Sequence, residues 1–117
     1  MPQKFYGYKK CSTCRDAMKW LDAHGVDYTF IPVIEKTPTQ AEFKTALAAG
    51  FTIRNLFNTS GIQYRQEGMK AKLDAMSDAE ALKALVGNGY FVKRPFAIDG
   101  KRVTVGFKPD KYAEAWG

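Results

Sequence analysis

A strand-forming run that leads directly into a Cys-x-x-Cys sequence is the feature that most constrains this chain. The run covers residues 5–8 and is rich in aromatic side chains, and two lysines follow it. Cys14 then begins a series of apolar residues at i, i+3, i+4 and i+7, the spacing of one buried helix face, which continues with Ala17, Met18 and Leu21. The pattern therefore predicts a strand, a short loop and a helix, with both cysteines where the helix begins.

The expected ends of this helix locate the two cysteines. Ser12 or Thr13 is expected to cap its first turn, and His24-Gly25 is a typical end. Cys11 would then lie in the loop or at the first helical position. Cys14 would lie one turn further along, on the buried face.

These two positions predict different chemistry for the two thiols. Cys11 would face the unpaired amides and the positive end of the helix dipole, and the basic side chains of Lys9, Lys10 and Arg15 are close in sequence; each of these favours the thiolate. Burial should keep Cys14 protonated. An exposed thiolate beside a sheltered thiol is the arrangement of a nucleophile and its resolving partner.

A metal site, a structural disulfide and a purely packing role are less well supported for the two cysteines. A structural zinc site needs about four ligands, and the chain has two cysteines and one histidine, so we expect no metal. A structural disulfide with this spacing would close too small a loop to stabilise much. Two core cysteines without a chemical role remain an alternative. Thiol chemistry without a bound cofactor is favoured.

Length and composition indicate one globular domain spanning 1–117. The net charge of +6 is dispersed along the chain, which fits a solvated basic surface or attraction to an anion or an acidic partner, without a recognisable nucleic-acid-binding motif. No apolar run is long enough to span a membrane and no signal-peptide pattern is present, so no membrane association is expected. A lone Cys-x-x-Cys fits the reducing cytoplasm. We expect a monomer.

The order of the remaining elements predicts the fold. Residues 26–31 alternate as a second strand, which makes a parallel β-α-β unit with the first strand and helix. Asp99-Gly100 between two β-rich runs predicts a hairpin, and Pro109 begins a last helix. The order β-α-β, helices, β-β-α is that of an α/β thioredoxin-like domain with a mixed sheet and an all-helical insert at about 38–90.

Two capping boxes begin helices in this insert. The run Thr37-Pro38-Thr39-Gln40 predicts a cap at Thr37 with the proline at the first helical position, and Ser77 begins a second box. The second helix is expected to bury four apolar side chains: Ala81, Leu82, Leu85 and Val86.

Three motifs in order resemble a known family. They are Tyr-Gly-x-x-x-Cys-x-x-Cys-Arg near the start, Lys93-Arg94-Pro95, and Gly106-Phe107-Lys108-Pro109. Together they are similar to the ArsC-type arsenate reductase family, and closest to its Spx-like and YffB-like members. The resemblance spans nearly the whole chain and implies a thioredoxin-like fold.

The resemblance also implies roles for particular residues. Cys11 matches the family's nucleophile, and Cys14 matches the second cysteine of the Spx-like and YffB-like branches. Arg94 matches an anion-binding arginine that precedes a cis-proline, here Pro95. Asn58 and Lys108 stand where arsenate-reducing members carry arginines, and neither replaces the bidentate guanidinium fork that suits a tetrahedral oxyanion.

The function we predict is a thiol–disulfide reductase in which Cys11 attacks and Cys14 resolves. Arg94, with Arg15 and Lys108, would hold an anionic group of a small thiol or oxidised substrate, and glutathione or a thioredoxin-type protein would be the reductant. One alternative is a Spx-like regulator that binds RNA polymerase and uses the cysteines as a redox switch. Others are a weak or true arsenate reductase and a binding module whose thiols are vestigial.

Overall fold

The computed structural model describes residues 3–117, and the fold is organised around one mixed sheet. Its strands in these residues are β1 (Gln3–Gly7), β2 (Tyr28–Pro32), β3 (Phe96–Asp99) and β4 (Arg102–Val105). The order across the sheet is β2-β1-β3-β4. The β1–β2 pair is parallel, and the other two pairs are antiparallel. This is the thioredoxin-like α/β arrangement that the sequence predicts.

Helices cover both faces of the sheet. In chain order they are α1 (Ser12–Ala23), α2 (Gln40–Ala48), α3 (Ile53–Leu56), α4 (Ile62–Gln66), α5 (Met69–Ala75), α6 (Asp78–Gly87), a 3₁₀ helix (Gly89–Phe91) and α7 (Pro109–Trp116). The helices α2 to α6 and the 3₁₀ helix follow β2 and precede β3. Among residues 3–117, no helix has the length and apolar character needed to cross a membrane.

The alternation of side chains along the strands divides the core into two layers. Phe5 and Ala97, which are paired across β1 and β3, pack against α1 and α7 on one face. Their neighbours Tyr6 and Phe96, also paired, belong to the larger core under the helices that follow β2. Because successive strand residues point to opposite faces, one apolar run contributes to both cores.

The helix starts agree only in part with the predicted capping boxes. Ser77 caps α6 through the Glu80 amide, as expected. The prediction for α2 is wrong by two residues, because Thr39 is the N-cap and Glu42 completes its box. Pro38 therefore precedes the cap. Thr39, unlike Thr37, lies three residues before a glutamate, and this is the spacing of a capping box.

Two further details differ from the sequence-based expectation. The second strand begins at Tyr28 rather than at residue 26, because the Val26 amide donates to the Leu21 carbonyl (3.0 Å) and so completes the end of α1. Val86 is 40% exposed, whereas its spacing predicted burial. It lies in the last turn of α6, next to the exposed Gly87.

Candidate active site

Cys11 opens into a cleft of about 760 Å³ between the β1–α1 loop, α4 and the segment that leads into β3. The residues that line it are Tyr8, Cys11, Thr13, Asn58, Ser60, Gly61, Ile62, Gln63, Gln66, Tyr90, Lys93 and Arg94. None of these lining residues is acidic, and two are cationic. The cleft therefore combines a thiol with a positive electrostatic potential.

Cys11 itself is the N-cap residue of α1, so the prediction that Ser12 or Thr13 caps this helix is wrong. The backbone of Cys11 is extended, its amide donates to the Tyr8 carbonyl (2.9 Å), and its carbonyl accepts from the Arg15 amide (3.1 Å). No hydroxyl, amide or carboxylate side chain caps this helix. The backbone amides of the first turn are therefore available to the Cys11 thiol. This thiol lies at the N-terminus of the helix, where helices bind anions.

The surroundings of Cys11 lower its pKa. Partial burial by itself raises the pKa, but hydrogen bonds from the amide and thiol of Cys14 and from the Thr13 amide stabilise the thiolate. The positive charge of Arg94 adds to this effect. The net result is a pKa for Cys11 below the ordinary thiol value, which is the property of a nucleophilic cysteine.

Cys14 has the opposite character. Its side chain is fully buried among Phe5, Ala17 and Tyr112. Burial raises its pKa to about 12, and the neighbouring negative charge of Cys11 also raises it. The Tyr8 amide, 3.5 Å from Cys14 Sγ, only partly offsets these effects. Both cysteines are free, so the pair combines a partly exposed thiol of lowered pKa with a fully buried thiol of raised pKa.

Arg94 is the positive group that acts on the cysteines. Its guanidinium carbon lies 5.0 Å from the centre of the Tyr8 ring, and its Nη1 is buried without a hydrogen-bond partner among residues 3–117. The Arg94–Pro95 peptide bond is cis. Arg94 lines the same cleft as Cys11, and its positive charge lowers the pKa of Cys11 and opposes the rise at Cys14.

Other basic residues that the sequence associates with the thiol lie elsewhere. Arg15 is exposed, and its Nη1 donates to the Lys9 carbonyl (3.0 Å). The Lys9 ammonium lies 5.5 Å from the centre of the Phe30 ring. Neither side chain, nor that of Lys10, lines the Cys11 cleft. Arg15 thus stabilises the loop. The positive charge that lowers the pKa of Cys11 comes from Arg94, and not from Lys9, Lys10 or Arg15 as the sequence predicts.

Lys108 is also separated from the cleft. It is the N-cap residue of α7 and lines a different depression, together with Val103 and Tyr112. Asn58, by contrast, lines the Cys11 cleft. Of the residues singled out from the sequence, the structure therefore brings Cys11, Arg94 and Asn58 to one cleft, with Cys14 buried beneath.

Several cleft residues were not predicted from the sequence. Lys93 precedes Arg94 in one of the three motifs without a predicted role, and Tyr8 belongs to the aromatic run before the two lysines. Ile62 and Tyr90 belong to none of the motifs singled out from the sequence. No group of three or more His, Cys, Asp or Glu side chains within residues 3–117 could hold a metal ion.

Alkylation near neutral pH should modify Cys11 well before Cys14, because only Cys11 combines exposure with a lowered pKa. The rate at Cys11 should rise with pH and reach half its maximum at a lower pH than for an ordinary cysteine thiol, because the pKa of Cys11 is lowered. Arg94→Gln should move this midpoint to higher pH, because it removes a charge that favours the thiolate. Iodoacetamide labelling followed by peptide mass spectrometry measures both rates. Equal rates, or faster reaction at Cys14, would contradict the assignment.

Comparison with known proteins identifies the family of this chain. The family model of the ArsC family matches residues 6–115. YusI of Bacillus subtilis strain 168 is 44% identical, over 99% of this chain and 99% of that protein. SACOL0876 from Staphylococcus aureus COL has a solution structure that is similar with a TM-score of 0.87 and 49% identity, over 97% of this chain and 98% of that one.

A crystal structure of an ArsC family related protein from Bacteroides fragilis is similar with a TM-score of 0.92 and 35% identity, over 98% of both chains. More distant relatives differ in what they do. The global transcriptional regulator Spx 2 of Bacillus anthracis is 25% identical over 91% of this chain and 80% of that protein. The arsenate reductase of Rhizobium meliloti is 25% identical over 84% and 69%. The family match and the closely similar relatives lead to one conclusion: the chain belongs to the ArsC family.

Proposed function

We propose that this chain is a thiol–disulfide reductase that works in the cytoplasm, with Cys11 as the nucleophile and Cys14 as the resolving thiol. The observation that carries the proposal is the contrast between the two thiols at the start of α1. Cys11 has a lowered pKa and opens into the cleft, whereas Cys14 is buried with a pKa of about 12. Attack requires the first kind of thiol, and resolution requires a second thiol that stays protonated until the mixed disulfide has formed.

In the first step, the Cys11 thiolate attacks one sulfur of a substrate disulfide. A bond forms between Cys11 Sγ and that sulfur, the substrate S–S bond breaks, and the other sulfur leaves as a thiolate that takes a proton from water. Arg94 stabilises the attacking thiolate. Because Arg94 also lines the cleft, its guanidinium group would hold an anionic group of the substrate beside the reacting sulfur.

In the second step, Cys14 loses its proton and attacks Cys11 Sγ. The intramolecular disulfide forms, and the bound substrate sulfur leaves and takes up a proton. Once Cys11 is in a mixed disulfide it no longer carries a negative charge, so one of the causes that raise the pKa of Cys14 disappears. Resolution is therefore favoured after attack has occurred. Glutathione or a thioredoxin-type dithiol would return two electrons to the chain.

Arsenate should be a poor substrate compared with a mixed disulfide. Asn58 lines the cleft and Lys108 lies in another depression, so Arg94 is the single guanidinium group among the described residues that line the cleft. Each missing guanidinium contact removes about 1.5–3 kcal/mol of oxyanion binding, which is a tenfold or larger loss.

The proposal is tested by comparing turnover of arsenate and of a cysteine–glutathione mixed disulfide, each with a glutathione system and with a thioredoxin system, followed through NADPH consumption. We expect turnover of the mixed disulfide with at least one system and little turnover of arsenate. Efficient arsenate reduction would instead favour the arsenate reductase alternative, and turnover of neither substrate would refute the proposal.

A second candidate is a redox-switched regulator that binds RNA polymerase. It is favoured by the similarity to Spx 2, named as a global transcriptional regulator. In that case Cys11 and Cys14 would form a disulfide that changes binding without turnover. Retention of purified polymerase on the immobilised chain, different under oxidising and reducing conditions, would support the regulator, particularly if the mixed disulfide is not turned over.

A further inference from the structure

Two large apolar side chains are exposed on the rim of the Cys11 cleft. Ile62, the first residue of α4, is 74% exposed, and Tyr90, in the 3₁₀ helix, is 43% exposed. Both line the cleft. Among residues 3–117 the other exposed large apolar side chain is Val86, which does not line it. Most of the exposed large apolar side chains are therefore at the mouth of the reactive site, where they can contact an occupant.

The wall next to this rim carries neutral amide side chains. Gln63, Gln66 and Asn58 line the cleft, and each can both donate and accept hydrogen bonds. Gln63 Oε1 accepts from Asn88 Nδ2 (2.9 Å), which joins α4 to the segment that carries Tyr90. Such groups suit the alternating N–H and C=O groups of an extended peptide backbone.

The charged part of the cleft is positive. Lys93 and Arg94 line it, no lining residue is acidic, and Arg94 Nη1 is buried without a partner in residues 3–117. An occupant with a carboxylate next to its reactive sulfur would be complementary to these two charges. The apolar rim would contact a different part of the same occupant.

The size of the cleft suits an occupant much larger than a tetrahedral oxyanion. A volume of about 760 Å³ lies in the range of sites that enclose ligands of many atoms. A tetrahedral oxyanion would fill only a small part of it and would leave the rim without a contact.

We propose that the cleft binds an extended segment of an acidic polypeptide whose oxidised cysteine lies beside a carboxylate and an apolar residue. The carboxylate pairs with Lys93 and Arg94, and the apolar residue packs on Ile62 and Tyr90. This inference rests on the proposed reductase function and names its substrate class. The Cys11 thiolate attacks the polypeptide sulfur of a mixed disulfide, and the small thiol leaves as a thiolate. Cys14 then displaces the polypeptide cysteine, which leaves as a thiol, and the Cys11–Cys14 disulfide remains.

The test uses three disulfide probes with the full chain and a reductant system that recycles it. The first is a synthetic peptide with the order Leu-Cys-Glu, its cysteine in a mixed disulfide with 2-mercaptoethanol. The second has glutamine in place of the glutamate, and the third is bis(2-hydroxyethyl) disulfide. The variants are the double change Ile62→Ser with Tyr90→Ser, the matched control Val86→Ser, and Lys93→Gln. All changed side chains of the double variant and the control are exposed, and thermal melting checks their folding.

We expect the double variant to lower kcat/KM for the acidic peptide by about tenfold and to leave turnover of bis(2-hydroxyethyl) disulfide within about twofold of the unchanged protein. Val86→Ser should alter neither. The glutamine peptide should be a weaker substrate than the acidic one, and Lys93→Gln should reduce that difference.

Two results would overturn the inference, and they are distinguishable. If the double variant affects the peptide and the small disulfide equally, or affects neither, the rim does not bind substrate, although the reductase function stands. If the unchanged protein reduces none of the three probes, the proposed function fails and the inference fails with it.

Discussion

Cys11→Ser should lose thiol–disulfide reductase activity almost completely, with kcat/KM for a mixed disulfide falling by about a thousandfold or more. A serine hydroxyl does not ionise near neutral pH, so no nucleophile is left at the start of α1. Cys14 cannot take its place, because it is fully buried and its pKa is raised to about 12. The coupled NADPH assay with a cysteine–glutathione mixed disulfide measures the loss.

The loss of the nucleophile can be separated from unfolding. Cys11 is the N-cap residue of α1, and serine is among the preferred residues at that position, so the variant should melt at or above the temperature of the unchanged protein. Cys14→Ser is the matched chemical control, because it keeps the attacking thiolate and should retain slow turnover when glutathione resolves the adduct. Substantial activity in Cys11→Ser would show that the chemistry belongs to another group.

Gly89→Ala should destabilise the fold by about 2–3 kcal/mol and lower the melting temperature by about 10 °C. Gly89 is buried at the start of the 3₁₀ helix, directly against the segment that follows β2. A Cβ there would lie 2.8 Å from Ile34 Cα and 2.9 Å from the Val33 carbonyl carbon, and it would also overlap the Val33 oxygen. These are backbone atoms, so the chain itself would have to move.

The neighbouring glycine provides the control for this prediction. Gly87 ends α6, is exposed, and has space for a methyl group, since no heavy atom would lie within 4 Å of an added Cβ. Gly87→Ala should be neutral or stabilise the protein by up to about 1 kcal/mol. Thermal unfolding followed by circular dichroism compares the two variants. Equal melting temperatures would show that the 3₁₀ helix is not held closely against the β2 side of the core.

The parts of the fold that were predicted correctly depend on local chemistry. The predicted hairpin is present, with Asp99 paired to Arg102 and with Gly100 and Lys101 as the two turn residues. Gly100 has a φ of +61°, and a glycine at the first turn position suits a tight hairpin whatever the rest of the chain does. Pro109 begins α7 for a similar reason, since its missing amide is not needed in the first turn. The start of α1 at the two cysteines was predicted correctly because the buried residues of this helix recur at helical spacing in the sequence.

The parts of the site that were missed depend on tertiary packing. The partner charge of Cys11 comes from Arg94, about eighty positions further along the chain, and only the family resemblance connected the two residues. The nearer Arg15 turns instead to the Lys9 carbonyl. Ile62 and Tyr90 lie in two different short helices and belong to none of the sequence motifs. Their exposure depends on how the helices pack around the cleft.

Mass spectrometry of the two cysteine variants after exposure to oxidised glutathione tests the central claim most directly. If Cys11 attacks and Cys14 resolves, Cys14→Ser should accumulate a glutathione adduct on Cys11, because the second step is lost. Cys11→Ser should carry no adduct, because its remaining thiol is buried and protonated. An adduct on Cys14 in the Cys11→Ser protein, with none on Cys11 in the reciprocal variant, would contradict the account and reverse the roles of the two cysteines.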